Sequence, residues 1–154
     1  KDLNIVGKEG AVFESAGSNS ILQPSNGATL TVSNIEFKGT KQAQQRGIDM
    51  VAGTEVIVTE CTFDTLIGGI YANPGAKINV SESAFRNVIA AIGTDTAASD
   101  LTITDNTFEA TCDEAVGFTA PNDTEANFNA LKADIIANNT GATEDNVKSY
   151  GAFI

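Results

Sequence analysis

The chain has 154 residues, with twenty acids against nine bases and a formal net charge of −11. Such a charge sets an anionic nucleic acid or membrane surface against a repulsive field, so no nucleic-acid partner is expected. The complete absence of His excludes Ser-His-Asp and Cys-His catalysis, and no apolar run approaches the roughly 20 residues needed to insert across a bilayer.

An octapeptide motif is written four times: residues 30–37 (LTVSNIEF), 56–63 (VIVTECTF), 78–85 (INVSESAF) and 101–108 (LTITDNTF). Residues 3–7 look like a partial first copy, and residues 134–141 (DIIANNTG) like an eroded fifth. Apolar residues at positions one and three alternate as a half-buried strand does, and Phe closes each octad. The copies recur after 26, 22 and 23 residues, counted from Leu30, Val56, Ile78 and Leu101. That interval leaves no room for intervening helices and marks a stacked repeat. Parallel stacking would place Phe37, Phe63, Phe85 and Phe108 in one internal ladder.

A second strand opens before each octad on a small residue followed by Ile or Val: Ser20-Ile21, Gly47-Ile48, Gly69-Ile70, Ala91-Ile92 and Ala115-Val116. Its outward column aligns Leu22, Asp49, Tyr71, Gly93 and Gly117, followed two residues later by Pro24, Val51, Asn73, Asp95 and Thr119. Asp49, Tyr71, Asn73 and Asp95 would combine an aromatic face with hydrogen-bonding groups, the pairing by which sugars are bound. These four residues are the candidate glycan site.

Position five of the octads stacks Asn34, Glu60, Glu82, Asp105 and, in the eroded copy, Asn138 on the outside. Glu60, Glu82 and Asp105 offer calcium the oxygen ligands it takes, although a linear column supplies fewer than the six a site needs. A solvated acidic ridge is the competing view of the same column. No other cofactor is implied. An ice-binding face is set aside because position two runs Thr31, Ile57, Asn79, Thr102.

Residues 38–47 (KGTKQAQQRG) are expected to form a solvated return loop. Cys61 and Cys112 fall at different places in different rungs, so both are expected to be free, inert thiols. Residues 124–133 (TEANFNALKA) break the period, and Thr124 as N-cap with Phe128, Leu131 and Ile135 at helical spacing predicts a short inserted helix. Residues 150–154 look like the opening strand of a further rung. The chain is therefore expected to be a single all-β solenoid domain over residues 1–154, about six rungs long, cut from a longer chain and able to associate end to end.

The Phe-ended octads, the Gly-Ile strand starts and a rung near 22 residues resemble the right-handed parallel β-helix of the pectate-lyase-like superfamily, over about residues 1–120. Within it the chain is most similar to bacterial surface and adhesin-type repeats, whose coils read LTIxNxTFxG. This resemblance implies an extracellular or cell-surface location and a non-catalytic display module for adhesion to a polysaccharide or host glycan. It also keeps open a polysaccharide lyase or hydrolase with a site near Tyr71, Asp95 and Arg86. Yet the basic lyase motif and the hydrolase Asp, His and Arg-Ile-Lys elements are missing. A purely structural stalk is the third possibility.

Overall fold

The computed structural model describes residues 1–119 and 123–154. Strands follow the octads closely. β1 (Asp2–Val6) and β2 (Val12–Glu14) belong to the first turn, and β3 (Thr29–Ser33), β4 (Glu36–Lys38) and β5 (Arg46–Met50) to the second. The third turn is β6 (Glu55–Thr59), β7 (Thr62–Asp64) and β8 (Gly68–Ala72), and the fourth is β9 (Lys77–Ser81), β10 (Ala84–Arg86) and β11 (Ala90–Thr94). After a 3-10 turn at Ala98–Asp100 come β12 (Leu101–Thr104), β13 (Thr107–Phe108) and β14 (Glu114–Phe118), then the helix α1 (Glu125–Asn138) and β15 (Val147–Ser149).

These strands stack into three five-stranded parallel sheets, ordered β1-β3-β6-β9-β12, β2-β4-β7-β10-β13 and β5-β8-β11-β14-β15. The molecule is thus a β-solenoid of about five turns rather than six. Octad register is kept throughout: Leu30 pairs with Val56, Val56 with Ile78 and Ile78 with Leu101. Phe37, Phe63 and Phe85 are fully buried and stack at 4.8 Å with planes 6° apart, and Phe108 continues at 5.3 Å. Phe13 ends the ladder edge-on at 5.8 Å.

The chain turns between the first and second sheets in two residues, and the first of them, octad position five, is left-handed: Asn34 at φ 55°, Glu60 at 54°, Glu82 at 51° and Asp105 at 58°. The second, octad position six, points inward. There Ser83 Oγ accepts from the Cys61 N–H at 3.1 Å, Asn106 Oδ1 from the Ser83 N–H at 3.0 Å, and Asn139 Oδ1 from the Asn106 N–H at 2.9 Å. Each of these buried corner amides is satisfied by the side chain of the next turn, as buried N–H groups require.

Helix α1 starts where expected, with Thr124 Oγ1 accepting from the Asn127 N–H, but it runs five residues beyond 133 into the eroded octad. Phe128, Leu131 and Ile135 are its buried face, set against β12, the 3-10 turn and β15. It lies where the first sheet would add a strand after β12. Buried Asp123 braces its start, accepting from the N–H groups of Ala98 and Thr124 and the Asn127 amide. After the helix the eroded octad regains register at Asn139 and Thr140, which bridges to Thr107. Gly141, at φ 82°, replaces the Phe because a Cβ there would lie 1.9 Å from the Phe108 carbonyl.

Three further expectations are corrected. The final strand is β15 at Val147–Ser149, not residues 150–154, because Val147 is the apolar residue that aligns with Val116. In the first turn Leu22 pairs with Ile48 rather than Asp49, a shift of one that places it in the apolar column. The loop at 38–47 is not simply solvated: Gln45 is fully buried, donating to the carbonyls of Ser15 and Gly17 and accepting from the Thr40 N–H. That anchor delivers Arg46 into β5.

Candidate functional site

The third sheet carries its site on its outer surface. The first outward position of its strands runs Arg46, Gly68, Ala90, Glu114, and the middle one runs Asp49, Tyr71, Gly93, Gly117, Lys148. Small residues in the centre of both columns leave a floor, and the larger ones stand around it. The result is a groove of about 260 Å³ lined by Arg46, Tyr71, Asp95, Glu114, Thr119 and Tyr150 above Gly68, Ala90, Gly93 and Gly117.

Tyr71 leans over Gly93, where an added Cβ would come within 3.0 Å of its ring, whereas at Gly117 an added Cβ would meet Glu114 Oε2 at 2.9 Å and the Tyr150 ring at 3.6 Å. A side chain at Gly93 would press on Tyr71, and one at Gly117 would push aside the Glu114 carboxylate. The Tyr71 hydroxyl donates to Asp95 Oδ2 at 2.8 Å, and the Tyr150 hydroxyl donates to Glu114 Oε1. Burial, with the Asp95 carboxylate beside it, pushes the Tyr71 phenol above its ordinary range; the bond to Glu114, with some burial, does the same for Tyr150. Both phenols therefore remain protonated donors at neutral pH.

Arg46 sits at one end of the groove, its guanidinium carbon 3.9 Å from the Tyr71 ring centroid and its Nη1 3.2 Å from Asp49 Oδ1. A cation over an aromatic face is attracted by the ring quadrupole. One face of Tyr71 is thus already occupied, whereas Tyr150 is 46% exposed. Ser20 also donates to Asp49, at 3.4 Å. At the other end Lys148 Nζ lies 3.6 Å from Glu114.

Of the four residues expected here, Tyr71 and Asp95 line the groove and Asp49 holds Arg46 at its margin. Asn73 stands apart, its amide donating to the Met50 carbonyl at 2.8 Å. Arg46, Glu114 and Tyr150 were missed. Glu114 shares the register of Arg46, Gly68 and Ala90, and that column was the signal; Tyr150 lies beyond β15, whose start was misplaced.

Arg86 does not belong to this face. It projects from β10 on the second sheet, 3.0 Å from both Glu36 and Asp64. Asp64 accepts further bonds from Asn87 and Thr65. Burial works against its charge, but these donors outweigh it and hold the Asp64 carboxyl below its ordinary range. Glu60, Glu82 and Asp105 stand exposed at the corner between the first two sheets, on a different face from the groove. Among the described residues no three His, Cys, Asp or Glu side chains converge as metal ligands do. Cys61 and Cys112 are buried free thiols, as expected, and burial pushes both upward, away from the reactive thiolate.

No helix among the described residues is long and apolar enough to cross a membrane. No curated protein and no solved structure matches the chain. A family model described as a right handed beta helix region matches residues 8–151. With that match spanning three parallel sheets wound from one repeated rung, the chain belongs to the right-handed β-helix family.

Proposed function

We propose that the chain is a non-catalytic, secreted or surface-displayed solenoid module that binds a glycan on the outer face of its third sheet. The observation that carries this is the groove itself, in which Tyr71 and Tyr150 stand over a glycine floor beside Asp95 and Glu114. Apolar sugar faces pack on aromatic rings while carboxylates accept from sugar hydroxyls. Arg46 is permanently charged and engaged with Asp49, so it does not supply a lyase base. The protonated phenols are likewise unsuited to that task.

The test is a glycan array probed with the protein and with a folded Tyr71→Ala, Asp95→Ala double variant, with and without a calcium chelator. Binding is expected to disappear in the variant and to survive chelation, since the acidic corner column is on another face. Retention of no glycan would leave a structural stalk in its place. The presence of Asp95 and Glu114 in one groove favours a carbohydrate-active enzyme as the second candidate. Release of new reducing ends from a bound glycan, lost on Glu114→Gln, would establish it; unchanged oligomers would exclude it.

A further inference from the structure

The groove also holds a charge pattern that narrows its ligand. Two of its three ionised positions are matched internally: Arg46 lies 3.2 Å from Asp49, and Glu114 lies 3.6 Å from Lys148. Asp95 has no cationic partner among the described residues. Its contact with a neighbouring side chain is the Tyr71 hydroxyl at 2.8 Å, which fixes one carboxylate oxygen and leaves further acceptor capacity on the group.

The remaining polar lining is acceptor-rich as well. Glu114 takes the Tyr150 hydroxyl, so both phenol protons are turned towards protein carboxylates. A ligand entering here meets carboxylate oxygens and aromatic surface, with the one guanidinium of the lining, Arg46, already held between Asp49 and the Tyr71 ring. An anionic sugar would set its own carboxylate against Asp95, inside a molecule of net charge −11. A donor-rich cation has the complementary chemistry: it can bond the free capacity of Asp95 and rest against the exposed face of Tyr150.

We propose that the groove selects an amine-bearing glycan, a polymer of hexosamine units with free ammonium groups, and that Asp95 is the residue that pairs with the ammonium. This rests on the glycan-binding function proposed above. A neutral glycan would gain the stacking contacts without the ion pair, and a polyuronate would be repelled.

The experiment is titration calorimetry of the intact protein with hexamers of glucosamine, N-acetylglucosamine, glucose and galacturonate, with spermine as a sugar-free cation. Glucosamine hexamer is expected to bind about tenfold more tightly than its N-acetylated counterpart, the factor one charge-assisted hydrogen bond supplies. Raising the pH through the titration of the sugar amine should erase the preference. Asp95→Asn, which keeps shape and a hydrogen-bonding group, should bring the two hexamers within about twofold while leaving the melting temperature unchanged. Equal or tighter binding of the acetylated, neutral or uronate hexamer would overturn amine selection and leave glycan binding standing. Spermine binding as tightly as glucosamine hexamer, or no hexamer binding at all, would overturn both.

Discussion

A glutamate at a left-handed backbone position is an unusual expense, and the corners at Glu60 and Glu82 carry it at φ 54° and 51°. Glycine, which has no Cβ, and asparagine, whose short amide hydrogen-bonds the local backbone, occupy that region readily, whereas glutamate sets its Cβ against the following carbonyl without that compensation. Glu82→Asn is therefore expected to stabilise the fold by about 0.5–1 kcal/mol in urea melts, a fraction of the strain at such a position. If the carboxylates were needed for a structural cation, the same change would destabilise. The neighbouring inward position has the opposite sensitivity. Asn106 donates its amide to Asn139 Oδ1 and to the Val80 carbonyl, and its Oδ1 accepts from the Ser83 N–H, all while buried. Replacing it with Ala should cost about 1–3 kcal/mol for the amide left unpaired, whereas Asn79→Ala on the exposed face of β9 should stay within about 0.5 kcal/mol.

Elements show how far pattern reading reaches. The octad period and its Phe terminus carry the register of β3, β6, β9 and β12, because parallel stacking repeats each environment and the repetition is visible in the residues themselves. Phe63→Ala and Phe85→Ala are accordingly expected to cost about 3–5 kcal/mol each, read from urea midpoints. The groove was only half legible. Tyr71 and Asp95 sit in regular columns, but Arg46 depends on the buried Gln45 amide, a single non-repeating anchor. Tyr150 depends on β15, displaced along the chain by the inserted helix. Arg86 shows the converse: proximity to the site was assumed for it, although its octad-following position fixes it on the second sheet.

That sheet also carries a pH dependence. Asp64 is held ionised below its ordinary range, so its stabilisation is present above the unfolded carboxyl value of about 3.9 and is lost as pH falls through the lower folded value. Urea midpoints should therefore drop on acidification, and the drop should be shallower in Asp64→Asn. Arg86 is partly exposed, so only a modest share of the stability is at stake.

For the whole molecule, the two ends differ. Helix α1 covers β12, and its Phe128 stacks on Phe118 at 5.4 Å and meets Phe153 at a tilt at 5.6 Å. At the opposite end β1 presents Leu3 and Val6 to solvent. Unpaired strand edges template further pairing, and helices are a common cover for them. Removing residues 123–154 should expose the covered edge and make sedimentation depend on concentration more steeply than it does for the intact chain.

The buried corner ladder has a direction. Cys61 relies on Ser83, Ser83 on Asn106 and Asn106 on Asn139, always on a residue made later. During synthesis each corner therefore waits one hydrogen bond short until the following turn is laid down, and the last to be supplied is Asn139, directly after the helix. Completion passes backwards along the stack from the final turn, so a nascent chain that stops before residue 139 leaves Asn106, the most recently wound corner, unfinished.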